Sequence, residues 1–382
     1  MTLLLQILFW ASLAALVWTH LAYPLVVALW ARLRPWPVAT SADVLPTVSL
    51  IIPAYNEEQV IEAKLDNALE LDYPRELLEI VVTSDASTDG THEVVRRYAD
   101  RGVRLIVCQR GGKVAAQDRA VRETSGEIVA FGDANVRWDR DAVRRLVADF
   151  ADPRVGMVCG YVRLVNPSGG TNQEGLYWRY EMWLRERESR LHSITGSNGA
   201  IYAVRREAYR EVDPRFGHDM SFPYLMVQNG YRAVYEPQAR GTESMTTDIE
   251  DEFRRKVRMF EHAWLMLFRG RMFGIRRLGL TYWVELVSHR LLRYWSGPLH
   301  IILLVTSILL ATHGWFYAAV LAAQLVGLAM ALLSIAVRGR FRVLRVLHYY
   351  LLVTLATVIA LSGYVRHGVP ATWDKAAGSR LT

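Results

Sequence analysis

Cysteine is scarce in this chain of 382 residues: only Cys108 and Cys159 occur. Both lie in apolar runs, LIVCQ and GMVCG, where a small core residue is expected rather than a disulfide or a metal ligand. That usage is consistent with a reducing environment. No internal repeat and no low-complexity segment is visible, which excludes repeat arrays and biased linkers. Charge is missing altogether from Leu3 to Trp30, a stretch of roughly 28 residues that can cross a bilayer with some tilt. The stretch lacks a basic leading segment and is too long for a secretory core, so it reads as a retained anchor.

What is present fits a membrane protein. The mean hydropathy is +0.10, which soluble domains rarely reach. The formal net charge is +7, which suits nucleic acid, a membrane surface or phosphate-bearing substrates. The apolar runs favour the last two, and no nucleic-acid partner is expected. Three further spans are predicted at Tyr294–Thr312, Trp315–Val337 and Val346–Val365. Arg338, Arg340, Arg342 and Arg345 lie around the last connection, and Arg32 and Arg34 follow the first span. The positive-inside rule places both clusters in the cytoplasm. The expectation is therefore an integral protein of the cell (inner) membrane with a cytoplasmic middle domain and both termini outside. Four spans without paired intramembrane charges argue against a transporter.

From about Val48 to Pro237, short β-branched runs alternate with amphipathic stretches: VSLIIPAY, EEQVIEAKLDNALEL, LLEIVVTSD, THEVVRRYAD, RLIVC, KVAAQDRAVRETS, EIVAFGDAN and RDAVRRLVADF. This alternation predicts an α/β domain with a Rossmann-like, mostly parallel sheet, joined to transmembrane and interfacial helices. The expected units are an anchor at 1–34, an α/β domain at 45–248, interfacial helices at 249–293, three spans at 294–366 and a tail at 367–382. In 249–273, Phe253, Val257, Phe260, Trp264 and Leu267 recur at helical spacing, with Arg254, Arg255, Lys256 and Arg258 around them. A basic amphipathic helix beside a span is expected at the membrane interface. A core-packing helix with a solvated basic face is the alternative.

Ligands of parallel sheets bind at the carboxyl ends of the strands. The first strand ends at Pro53, Tyr55 and Glu57, and the second at Asp85 and Asp89. A strand-end carboxylate can accept a ring N–H from a base, and a tyrosine offers a stacking face. The same aspartates also serve as helix caps. Gly111, Gly112 and Lys113 place a cation at a helix start, which suits a phosphate. Asp133 and Asn135 follow the fourth strand at i and i+2, where both can reach a hard cation or simply form a turn.

Together Pro53-Ala-Tyr-Asn-Glu57, Ser84-Asp85-Ala-Ser-Thr-Asp-Gly90, Gly112-Lys113 and Asp133-Ala-Asn135 resemble the GT-A core of inverting family 2 glycosyltransferases. The resemblance is to the membrane-embedded branch that includes hyaluronan, chitin and cellulose synthases, poly-N-acetylglucosamine synthases and ceramide-glucosyltransferase-like enzymes. It covers about 48–258. It implies that Asp85, with Pro53, Tyr55 and Glu57, shapes the nucleotide pocket for a UDP-sugar. It implies that Lys113 lies near the nucleotide and that Asp133 and Asn135 hold Mg²⁺ or Mn²⁺. Gly196, Ser197 and Asn198 look like an acceptor-side loop. Asp219 sits where the family carries its general base, and Arg255 and Arg258 where it carries a cationic motif. Inverting transfer needs one carboxylate to deprotonate the acceptor hydroxyl and positive charge to stabilise the departing diphosphate. Arginine suits bidentate phosphate recognition.

Three positions depart from the family pattern: Asn135 for Asp, His218 for Glu and Met259 for Trp. The last departure weighs against long-polymer synthesis unless Trp264 substitutes from the next turn. The helical stretch Glu174–Ser193 is a candidate wall of the acceptor cleft, with a solvated, partly buried helix as the alternative. His289, Arg290 and Arg293 are candidates for lipid headgroups or a diphosphate. Three readings follow: transfer of a hexose to a membrane-associated glycan in polysaccharide or exopolysaccharide synthesis, single-sugar transfer to a lipid (a polyprenyl phosphate, hopanoid or ceramide-like acceptor), and a non-catalytic membrane subunit.

Overall fold

A computed structural model of the chain describes residues 2–165, 173–244, 249–336 and 341–370. Arg338 and Arg340 of the basic connection, and residues 371–382 of the tail, lie outside the described residues.

The α/β domain carries an eight-stranded mixed sheet: β1 (Val48–Ala54), β2 (Leu78–Asp85), β3 (Val103–Cys108), β4 (Ile128–Gly132), β5 (Val136–Trp138), β6 (Val155–Val165), β7 (Ile201–Arg205) and β8 (Arg232–Ser244). The order across the sheet is β3-β2-β1-β4-β7-β6-β8-β5. β3, β2, β1 and β4 run parallel, β7 runs antiparallel to β4 and β6, and β6 and β8 pair in parallel. The expected strand–helix alternation thus forms the parallel half. β1 is buried at every position and so is β4, as a strand covered on both faces must be. Leu50, Ile52, Ile61, Leu65, Val82 and Val95 form one apolar layer against the sheet. Phe131, Tyr202, Phe222 and Met226 form the other.

Four helical segments are long and apolar enough to cross a membrane: Thr2–Leu33, Ser296–His313, Trp315–Ile335 and Val343–His367. They match the expected spans to within a few residues at most ends. The helix Ile249–Arg269 is amphipathic as its spacing predicts. Its apolar face is covered by protein: Val257, Phe260, Trp264 and Leu267 pack with Tyr294, Trp295, Ala360, Leu361 and Tyr364.

The helix Gln173–Leu191 joins the first apolar helix to the α/β domain. Tyr23 donates to Glu188 Oε1 at 2.6 Å, and Leu184 and Leu191 pack on Tyr23 and Val27. His289 and Arg293 do not face lipid headgroups. His289 contacts Glu188 at 2.6 Å and Glu181 at 3.1 Å, Arg293 pairs with Glu181, and all four side chains are buried. Arg290 donates to Thr195 O at 3.2 Å. A buried cation is retained at low cost only beside such partners, so these residues form a joint and not a headgroup clamp.

Candidate active site

The loops after β1, β2 and β3 are stitched to one another at the carboxyl edge. Asn56 Oδ1 accepts from Thr88 N at 2.7 Å, and Glu57 N donates to Thr91 Oγ1 at 2.8 Å. Asp85 is buried, and both its oxygens are used. They accept from Gly111 N at 2.7 Å, Gly112 N at about 3 Å and Arg110 Nη1 at 2.5 Å. The Arg110 guanidinium lies 3.4 Å from the Tyr55 ring centroid, a cation–π contact. Gly112 has φ 92 and caps the helix Lys113–Arg122. A side chain at that φ is strained, which explains the glycine.

Lys113 opens that helix and reaches across the strand ends. Its Nζ donates to Asp133 Oδ1 at 2.5 Å and to Gly199 O at 3.4 Å. A cavity of about 340 Å³ opens here, and its wall includes Lys113, Asp133, Ser197, Asn198, Asp219, Arg255 and Arg258. Seven residues singled out in the sequence, up to 145 positions apart, therefore share one site. Pro53, Tyr55, Glu57 and Asp85 sit on the adjoining strand ends and do not line it. Gly196 lies behind the loop, where an added Cβ would fall 2.3 Å from Arg290 Nη2. Asn135 stands at the rim and donates to Glu243 at 3.1 Å.

Asp219 lies in the first turn of the helix His218–Gln228, whose N-cap is Gly217. Ser197 N donates to Asp219 O at 2.7 Å, which ties the 196–200 loop to it. Burial raises the Asp219 carboxyl above its usual range, while Lys113 and His262 act to lower it. A base that holds its proton at higher pH is a stronger one. A Cβ at Gly217 would meet Asp219 Oδ1 at 2.4 Å. Gly217→Ala is therefore expected to displace the carboxylate and lower turnover on the order of 10²-fold. The check is kcat alongside an unchanged unfolding midpoint.

His218 explains one departure from the family pattern. Its ring stacks on Phe222 at 4.0 Å, its Nδ1 contacts Tyr202 Oη at 2.9 Å, and burial lowers its pKa to about 3. It is a neutral packing residue with one edge at the cavity. Met259 lines the cavity and is exposed. Trp264 does not replace the missing tryptophan, because it is fully buried and donates to Thr357 O at 3.0 Å.

The cavity holds residues that sequence reasoning missed. Glu243 comes from the end of β8 and His262 from one turn past Arg258, whereas Trp178 belongs to the stretch already named as a candidate cleft wall. His262 Nδ1 lies 2.8 Å from Arg215 O, so Nδ1 carries the proton. Lys64 sits behind the turn after β4, buried, with Nζ donating to Val136 O at 2.7 Å, and burial lowers its pKa to about 7. No local motif marks Glu243, His262 or Lys64. Each reaches the site through a fold contact.

Oxygen donors gather at Asp133, Asn135 and Glu243. Among the described residues, no group of three or more His, Cys, Asp or Glu side chains is placed to hold a metal ion alone. That fits a cation completed by substrate phosphates, which needs only one or two protein carboxylates.

Residues 49–213 match the family model for Glycosyl transferase family 2. Glycosyltransferase AglE of Haloferax volcanii is 31% identical over 180 residues, covering 46% of this chain and 58% of that one. The poly-beta-1,6-N-acetyl-D-glucosamine synthase of Staphylococcus aureus is 24% identical, covering 60% of this chain and 57% of the synthase. The chain thus spans somewhat over half the length of these curated relatives. A solved mannosyltransferase, PcManGT from Pyrobaculum calidifontis in complex with GDP-Man and Mn²⁺, superposes with a TM-score of 0.71 at 26% identity, covering 94% of this chain and 99% of that one. The sheet, its strand-end loops and this likeness define a glycosyltransferase of the GT-A fold. Residues 49–213 form a family 2 glycosyltransferase domain.

Proposed function

We propose that the chain is an inverting transferase that moves a hexose-type sugar from a nucleoside-diphosphate sugar to a membrane-associated glycan acceptor in polysaccharide or exopolysaccharide synthesis. The observation that carries this reading is the cavity shared by the Asp219 carboxylate and the cations Lys113, Arg255 and Arg258. The nucleotide would lie along the strand ends, with its base at the rim formed by Pro53, Tyr55, Glu57 and Asp85. A UDP-sugar is the first candidate donor. The GDP-Man bound by the mannosyltransferase makes GDP-mannose the second.

Asp219 takes the proton of the acceptor hydroxyl as its oxygen bonds to the anomeric carbon. The bond from that carbon to the diphosphate oxygen breaks on the opposite face. Arg255 and Arg258, a helical turn apart, and Lys113 stabilise the charge on the leaving diphosphate. Ser197 and Asn198 orient the acceptor. Asn198 is itself fixed, donating to Gly160 O at 2.7 Å and accepting from Ile201 N at 3.1 Å. Mg²⁺ or Mn²⁺ held at Asp133 and Asn135 would neutralise the diphosphate.

Two outcomes follow. Chelation with EDTA should abolish transfer, and Mn²⁺ should restore it, as radiolabel transfer would show. The pH profile should carry an acid limb set by Asp219. Its raised pKa keeps it protonated to higher pH, so activity falls as pH drops through a value above the ordinary ~3.9 of aspartate. A limb at or below about 4 would remove Asp219 as the base.

The lipid-acceptor reading has its own observation. A second cavity of about 330 Å³ lies between the apolar helices and the catalytic domain, lined by His20, Tyr177, Tyr180, Arg293, Tyr350 and Thr357 among others. An exposed Met259 in place of the polymer-gripping tryptophan also favours short transfers. Product analysis separates the readings: a lipid-extractable labelled product supports the lipid acceptor, and a high-mass glycan supports the polymer. An anomer of unchanged configuration in either product would overturn the inverting mechanism. The proposed placement is the cell (inner) membrane, with the catalytic domain cytoplasmic and both termini outside. Protease accessibility of sealed vesicles tests it.

A further inference from the structure

The metal motif is short of one carboxylate, since Asn135 stands where the family carries aspartate. A neutral amide oxygen binds a hard divalent cation more weakly than a carboxylate. The fold brings a replacement to the same place. β5 and β8 pair antiparallel with Val136 opposite Glu243, so the Glu243 side chain stands beside Asn135, 108 residues away in sequence. Asn135 Nδ2 donates to Glu243 Oε1 at 3.1 Å. Glu243 and Asp133 both line the cavity that holds Lys113 and Asp219.

We propose that Glu243 is the second carboxylate of the divalent-cation site, supplying the charge that Asn135 lacks. The inference rests on the metal-dependent reading above. Asp133, in the turn after β4, and Glu243, at the end of β8, bring two negative charges to the cavity, and the donor's diphosphate brings the rest. The amide of Asn135 takes a role that an aspartate cannot fill: its N–H holds the Glu243 carboxylate while its oxygen stays available as a donor. In this structure the Lys113 ammonium sits on Asp133 at 2.5 Å. Without nucleotide a cation must compete with that ammonium for the carboxylate. Bound nucleotide offers the ammonium a phosphate instead. Cation binding should therefore be strongly linked to nucleotide.

The test is Mn²⁺ binding to the full chain in nanodiscs, read from the loss of the free-ion electron paramagnetic resonance signal, with UDP, with GDP and with neither. Wild type should take up one Mn²⁺ with a preferred nucleotide and bind it more weakly without. Glu243→Gln should weaken that binding about 10–100-fold. Asn135→Asp/Glu243→Gln, which keeps the carboxylate count, should return to within a few-fold of wild type. The double variant also covers the case in which Glu243→Gln alone lowers the unfolding midpoint. Equal Mn²⁺ affinity in wild type and Glu243→Gln, or no recovery in the double variant, would overturn the assignment. Wild type that takes up no Mn²⁺ with either nucleotide would overturn the metal-dependent reading itself, and the assignment with it.

Discussion

Asp219→Asn is expected to lower kcat by about 10²–10⁴-fold with the KM for the nucleotide sugar little changed. The asparagine keeps the size and the polar edge but accepts no proton. The surroundings should survive the change. The backbone carbonyl of Asp219, which accepts from Ser197 N and Oγ at 2.7 and 3.1 Å, is untouched, so the acceptor loop stays in place. The donor-side residues are likewise unaltered, and nucleotide affinity reports on them separately. Asp133→Asn should behave differently, raising the KM for donor and the metal requirement together. A loss of kcat that tracks a loss of nucleotide binding would mean that Asp219 serves the donor and not the acceptor.

Glu188→Ala should destabilise the protein by about 3–5 kcal/mol. Glu188 is fully buried and is shared by Tyr23, Thr195 and His289, at 2.6, 3.1 and 2.6 Å. Removing it leaves a tyrosine hydroxyl and an imidazole without their acceptor in a site closed to water. His289 also contacts Glu181 at 3.1 Å, and Glu181 pairs with Arg293, so the loss spreads through the cluster. The cluster connects the first apolar helix, the helix Gln173–Leu191 and the segment before the second apolar helix. Thr195 also precedes the acceptor loop, so activity should fall before unfolding does. A thermal scan in nanodiscs checks the magnitude against Arg145→Ala, which breaks an exposed i,i+4 pair with Asp141 at 2.9 Å. That control should shift stability by under about 1 kcal/mol.

The parallel half of the sheet was legible because each strand there is a β-branched run ending in turn chemistry: VSLIIPA, LEIVVTSD, VRLIVC and IVAFG. The strand-end rule then picked out Asp85, Lys113 and Asp133 without reference to any contact. The antiparallel additions were less visible. β8 runs through Pro237 and several charged residues, RAVYEPQARGTES, and offers no clean alternation. Glu243 sits at its end, so the residue that faces Asn135 could not be read from its own neighbourhood. The motif order pointed to Asp219 but not to its environment, since burial raises its pKa through packing from distant segments. Arg290 and Arg293 looked like membrane anchors because a basic cluster beside a span usually is one. Arg293 instead pairs with Glu181, 112 residues earlier, on a helix whose charges read as solvated, and Arg290 donates to Thr195. Trp264 failed as a substitute for the same reason: spacing placed it on the right helix, and the last apolar helix took its face.

The most direct measurement is nucleotide release by the full chain in lipid nanodiscs, run with UDP-sugars and GDP-mannose, Mn²⁺ or Mg²⁺, and a total lipid extract, with Asp219→Asn in parallel. The predicted result is release from one donor that requires the metal and falls at least about 10²-fold in the variant. Equal release by wild type and variant, or release that persists after chelation, would contradict the assignment of Asp219 as base and of the Asp133 cavity as the site of transfer.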